Sequence, residues 1–230
     1  MVIDESRPFL PVAIAILTVS DTRTRADDRS GDILVARLTE AGHRLADRDI
    51  VVDDADLIAA RMQRWIDDAQ IDCVIATGGT GVTGRDVTPE ALDRVCDKKI
   101  PGFGELFRWI SFQKIGTSTI QSRADAGVAN GTYLFVLPGS TGACRDGWDE
   151  ILVHQLDNRF RPCNFVELMP RLTEKYPANA AASSISASTS SSAWVWCWPR
   201  LASVSASAWR LDQRTFLNGS GCRPRRPTSQ

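Results

Sequence analysis

The stretch Ile71–Ala91, IDCVIATGGTGVTGRDVTPEA, restricts the fold more than any other part of the chain. The apolar run Cys73–Ala76 has the length and composition of a buried strand. It empties into Thr77-Gly78-Gly79-Thr80-Gly81, and Gly84, Arg85 and Asp86 come next. Thr88 and Pro89 then signal a helix, with Thr88 expected as N-cap and Pro89 at the first helical position. A glycine loop at the carboxyl end of a parallel strand is where open α/β sheets bind ligands. Glycines let backbone N–H groups crowd around an anion, and the helix turns its positive end to the same crevice. Asp86, between loop and cap, is placed to grip a metal ion that bridges phosphates. The string lacks the Gly-Lys-Ser/Thr of a Walker loop and the G-x-G-x-x-G spacing of dinucleotide folds. On loop chemistry alone, a tight turn explains the glycines as well as a polyanion site does.

Up to about Leu172 the rest of the chain repeats this strand-and-helix alternation. Val12–Val19 is near-continuously apolar, as expected of a strand covered on both faces, and it ends in Ser20-Asp21. Gly31–Ala41 carries Ile33, Leu34, Val35, Leu38 and Ala41 as a helical stripe, with Gly42 as C-cap. Leu45–Val52 predicts a less apolar strand near an edge, terminating in Asp53-Asp54. Asp54 or Asp56 would cap the next helix, whose expected buried face is Leu57, Ile58, Met62, Trp65, Ile66 and Ala69. Short helices are expected over Thr88–Cys96 and Phe103–Phe112, and a longer amphipathic one from about Thr141 to Leu156. Val128-Ala129, Asn130-Gly131 and Thr132–Leu137 read as a hairpin around a type I′ turn. The expected architecture is therefore a three-layer α/β sandwich, a mostly parallel sheet with one antiparallel hairpin strand and helices on both faces. Ser20-Asp21, the Thr77–Gly81 loop and Pro138–Ser140 then share one sheet edge, joined by Asp53.

Charge separates this core from the residues beyond it. The formal net charge is −1, but residues 1–172 hold 20 basic and 26 acidic side chains, and residues 173–230 hold seven and two. An acidic core without a basic stripe argues against nucleic acid as partner. No apolar run is long enough to span a bilayer, and the acidic, polar MVIDESRPFLP is unlike a signal peptide, so the expected location is cytoplasmic. Six scattered cysteines with no C-x-x-C pair, and only His43 and His154, favour reduced thiols over a zinc site. Residues 183–192 contain seven serines, and Trp194, Trp196, Trp198 and Trp209 come after them without periodicity. The segment 173–230 reads as a disordered linker to a docking segment or as non-native coding sequence, such as a shifted reading frame. The second reading is favoured, because clustered Trp, Ser, Ala and Arg suit no packed element.

TGGTGVTGRDVTPEA and KKIPGFGELFR, with STIQSRADAGVANGTYLFVLPGSTGACRDGWDEIL and RPCNFVELMP, resemble the molybdenum cofactor biosynthesis proteins of the MoaB/MogA type. The likeness runs from about Val12 to Arg171 and lies nearest the MoaB branch; residues 173–230 have no counterpart in it. It implies a mixed α/β fold assembled as a homo-trimer or homo-hexamer, alongside other molybdenum cofactor biosynthesis proteins. It also implies binding of molybdopterin, a pterin bearing a dithiolene and a phosphate. Active members adenylylate that phosphate with ATP and Mg²⁺, and the aspartates regarded as catalytic fall on Asp53 and Asp86, which would also hold the metal.

In this reading Thr77, Gly78, Gly79, Thr80 and Gly81 supply the loop donors. Ser122, Arg123, Pro138, Gly139 and Ser140 hold the pterin and its phosphate, with Arg123 as charge partner. Ser20 and Asp21 complete the rim, and Glu105 lines the cleft or caps its helix. From the residues alone, Asp53 beside Asp54 and Asp56 is more simply a helix start, Arg123 a surface arginine and Ser140 a cap. A non-catalytic molybdopterin-binding or carrier protein is the alternative function.

Overall fold

A computed structural model describes residues 2–174; the expectations for residues 175–230 lie outside the described residues. The strands are β1 (Val2–Ile3), β2 (Ala13–Val19), β3 (Arg44–Val51), β4 (Cys73–Thr77), β5 (Lys98–Lys99), β6 (Asp125–Ala129), β7 (Thr132–Leu137) and β8 (Phe160–Arg161). The helices are α1 (Arg29–Glu40), α2 (Ala55–Ile66), α3 (Thr88–Val95), α4 (Pro101–Ile115), α5 (Thr141–Gly147) and α6 (Val153–Gln155). A six-stranded sheet runs in the order β3-β2-β4-β7-β6-β5. β3, β2, β4 and β7 are mutually parallel, and β6 joins β7 antiparallel. Asn130 and Gly131 both take positive φ, 45° and 86°, as a type I′ hairpin requires. Two pairings were not expected: β5 against β6, and a separate antiparallel pair of β1 with β8.

Side-chain alternation along the strands divides the core into two layers. Ile14 and Ile16 of β2, with Cys73 and Ile75 of β4 and Tyr133, Phe135 and Leu137 of β7, face α1, α4 and α5. Ala15, Leu17, Val19, Val74, Ala76, Leu134 and Val136 point the other way, onto α2 and α3. All seven β2 residues are buried, whereas β3 is only half-buried, as befits an edge.

Several local expectations are corrected. α2 buries Ile58, Met62, Trp65 and Ile66, but Leu57 is 52% exposed and Ala69 lies exposed beyond the helix end. The long helix after β7 is α5, a π-helical turn (Trp148–Leu152) and α6 in succession. Asp54 rather than Asp56 caps α2, accepting from the amides of Asp56 (2.9 Å) and Leu57 (3.0 Å). Thr88 is the first residue of α3, not its cap. Its buried hydroxyl instead donates to the Gly78 carbonyl (2.8 Å), fastening the helix to the glycine loop.

Candidate functional site

Because β2, β4 and β7 are parallel neighbours, their carboxyl ends bring three polar loops together. A cleft of about 560 Å³ opens there, between the Gly78–Gly81, Val19–Arg23 and Pro138–Ser140 loops, with Phe107, Ser111 and Ile115 of α4 as the facing wall. Its size suits a small-molecule ligand. The floor is main chain. A Cβ on Gly78 (φ +107°) would collide with the Val19 carbonyl oxygen, and one on Gly139 would sit 3.1 Å from the Gly78 Cα. At Gly78 only glycine permits that approach, and at Gly139 a side chain would be tight.

The same loop seats two carboxylates. Asp53, just past β3, lies against Gly79, where an added Cβ would be 2.8 Å from both carboxylate oxygens. It accepts from the Val87 amide (3.2 Å), one of the free donors at the start of α3. Asp86 lies against Gly81, 2.7 Å from where a Cβ would stand, and accepts from the amide (2.9 Å) and hydroxyl of Thr83. Asp86 is near enough to influence the ionisation of Asp53, and the two sit in opposite surroundings. Burial pushes the Asp53 carboxyl above its ordinary value, and the Asp86 and Asp21 carboxylates add to this against the Val87 amide. The Thr83 hydroxyl, chiefly, holds Asp86 below its ordinary value, with help from the Thr83 and Gly81 amides and Arg123. Asp21 accepts from the Asp53 amide (3.1 Å) and pairs with Arg85.

Of the residues expected from the sequence, Ser20, Gly78, Gly79, Thr80, Gly81, Asp86, Ser122, Pro138, Gly139 and Ser140 line the cleft. Others are not among its lining residues, Asp21 and Asp53 included. The Thr77 side chain is turned under the floor, its hydroxyl donating to the Pro138 carbonyl (3.0 Å) and touching the Cys144 sulfur (3.1 Å). Glu105 is exposed and is not among the lining residues. Arg123 is committed to the loop itself: it donates to the carbonyls of Gly81 (2.7 Å) and Asp86 (2.6 Å) and pairs with Glu90. That guanidinium braces the Asp86 turn instead of facing the cleft as a charge partner.

Sequence reasoning missed Arg23. It is the one basic residue among those lining the cleft, half-buried, and donates to the Ser30 hydroxyl (3.0 Å) and the Gly139 carbonyl (3.2 Å). Its position five residues beyond Thr18, in the loop leaving a buried strand, was the available signal. Ser111 and Gln121 were also missed, since they reach the site from α4 and the turn after it.

No three His, Cys, Asp or Glu side chains are grouped to hold a metal among the described residues. Two carboxylates against one loop, one of them raised by burial and then by its neighbours' charge, suit a divalent ion that takes its remaining ligands from water and phosphate. No helix among the described residues is long and apolar enough to cross a membrane.

Residues 15–158 match the family described as "Probable molybdopterin binding domain". Molybdenum cofactor biosynthesis protein B of Escherichia coli (strain K12) is 51% identical over 160 residues, covering 70% of this chain and 94% of that protein. The Bacillus subtilis (strain 168) protein of the same name is 42% identical over 146 residues, 63% of this chain and 86% of its own length. A crystal structure of a molybdenum cofactor biosynthesis protein B aligns with a TM-score of 0.66 at 37% identity, over 72% of this chain and 98% of that one. The tungsten cofactor synthesizing protein MoaB from Pyrococcus furiosus aligns with a TM-score of 0.60 at 29% identity, over 71% and 98%. By the match along its core and the glycine-loop cleft that core builds, the chain belongs to the molybdenum cofactor biosynthesis family of MoaB-like proteins.

Proposed function

We propose that this protein binds molybdopterin in the cleft and adenylylates its phosphate, using ATP and Mg²⁺. The observation that carries this reading is the pair of carboxylates seated against one glycine loop, Asp53 at Gly79 and Asp86 at Gly81. In the transfer, a pterin phosphate oxygen bonds to the α-phosphorus of ATP while the bond to pyrophosphate breaks. The attacking phosphate is already ionised at neutral pH, so the difficulty is bringing two polyanions together in line. Asp53 and Asp86 would hold Mg²⁺, which supplies positive charge between the phosphates. The Gly79 and Thr80 amides would orient the anions, and Arg123 fixes that loop from behind. Asp86, kept ionised by Thr83, needs no proton to leave before it serves as a ligand.

The decisive measurement is pyrophosphate release from ATP by the purified chain, with and without molybdopterin. Release that depends on molybdopterin and Mg²⁺ is expected. Tight pterin binding without release would make the protein a carrier and end the transferase reading.

Assembly into a homo-oligomer is supported by α4, which leaves Leu106, Trp109, Phe112 and Ile115 about half exposed, with Ile120 beyond it 76% exposed. Apolar exposure of this extent on one element marks a contact surface. Sedimentation at the mass of a single chain would remove that reading.

A further inference from the structure

A second cleft, of about 430 Å³, lies beside the first and shares Ser20 and Arg23 with it. Its other lining residues come from the loop after β2 and the end of β3, and its charged members are Asp21, Arg23, Arg25 and Asp49. Both carboxylates are already neutralised by arginines from outside the cleft: Asp21 by Arg85, and Asp49 by Arg61 at 2.5 Å. The two lining arginines have no such partner among the described residues. Arg23 donates to Ser30 and Gly139, and Arg25 to the Arg48 carbonyl (3.1 Å), all neutral acceptors. Asp27, whose carboxylate also feels Arg23, accepts from the amide and hydroxyl of Thr24. The chain is acidic over its core, yet here two guanidinium groups without an ion-pair partner among the described residues stand around a hollow large enough for a small ligand. Arginine in this condition is suited to phosphate, which it meets with paired N–H donors.

We propose that this second cleft is a polyphosphate site, with Arg23, on the wall between the two clefts, and Arg25 as its anion-recognising residues. The inference rests on the transferase reading for its choice of ligand: the pyrophosphate end of ATP would occupy the second cleft while the pterin phosphate approaches from the first. Arg23 then touches the anions at the boundary between the clefts, and its anchors on Ser30 and Gly139 hold its fork in place.

Titration calorimetry with inorganic pyrophosphate, ATP, molybdopterin and, as neutral control, adenosine tests this on the full chain. Arg23→Gln should weaken pyrophosphate and ATP at least tenfold, Arg25→Gln about threefold, and Arg23→Lys by an intermediate factor, since it keeps charge but loses the fork. Lys98→Gln, which removes an exposed charge elsewhere, and adenosine binding should show no change. A larger loss for molybdopterin than for pyrophosphate in Arg23→Gln would overturn the assignment of the polyphosphate to this cleft. So would wild-type pyrophosphate affinity in the double variant, or no pyrophosphate binding by the unmodified protein. Should Arg23→Gln fail to fold, Arg25→Gln carries the test alone, since its arginine is exposed. Wild-type turnover, measured separately, distinguishes the two readings. Turnover with Arg-independent pyrophosphate binding sinks this inference only. Absent turnover with Arg23-dependent binding sinks the transferase and leaves an anion site.

Discussion

Two acidic clusters, one around Asp28 and one around Asp53 and Asp86, are built on opposite principles. Asp28 is fully buried, with the Arg48 guanidinium at 2.7 Å, the Thr18 hydroxyl at 2.8 Å and the Gly31 amide at 3.0 Å. Burial alone would push its carboxyl up, but these donors outweigh it and hold the group below its ordinary value. Asp53, by contrast, gains one amide and faces two other carboxylates. The first cluster is closed and serves the fold: it caps α1 and ties it to β3 through Arg48. The second is left short of positive charge against the glycine loop that floors the cleft. Internal compensation marks a structural ion pair; its absence, on a glycine loop, marks a place kept for something from outside.

Breaking the closed cluster should cost most. Arg48→Ala strands the Asp28 charge in the interior and is expected to destabilise the protein by about 3–5 kcal/mol, read from urea unfolding at neutral pH. The sign in pH comes from the lowered folded value. Asp28 stabilises above its unfolded value of 3.8, and that contribution disappears as pH falls through the folded value. The gap between wild type and variant should therefore shrink in acid; a gap independent of pH would show that packing of the arginine stem, not charge, was lost.

At the open cluster the larger effect is on chemistry. Asp86→Asn should lower turnover about 100-fold or more, on the order of 2.7 kcal/mol of barrier, while calorimetry shows molybdopterin still bound. Undiminished turnover would remove Asp86 from the mechanism. The smallest effect sharpens the contrast most. With Asp53 raised above 3.8, the folded state favours its protonated form, so stability is lost as pH rises through that raised value. Asp53→Asn should therefore raise the melting midpoint at pH 7 by about 1–3 °C and give no gain near pH 3, while activity falls. A lower midpoint at pH 7 would place Asp53 with the compensated kind.

The parallel part of the sheet was legible because each strand is buried on both faces and writes an unbroken apolar run, as Ala13–Val19 does. The Asn130-Gly131 hairpin was legible because its turn chemistry is local. β1, β5 and β8 were not, since two-residue pairings leave no periodicity to detect. Leu57 was misassigned because it lies at the margin of the α2 stripe, where helical spacing alone decides poorly.

For the cleft, the strand-end loops could be found because topology alone brings them together. The work of each charge within them could not. Arg123 and Arg23 are both arginines next to loops of the same cleft. Only the three-dimensional partners, Gly81, Asp86 and Glu90 for one and Ser30 and Gly139 for the other, show which braces and which faces the ligand space. Thr88 was misplaced for a similar reason: its hydroxyl goes to the Gly78 carbonyl, a partner ten residues away that only the fold supplies.

The contact between Gly78 and Gly139 has a mechanical consequence. Two loops that meet through bare main chain have no rotamers between them to yield, so neither can close further on the other. The gauge of the cavity is thus set by peptide geometry, and a molecule too thick for it must enter across the α4 wall, where side chains can still turn.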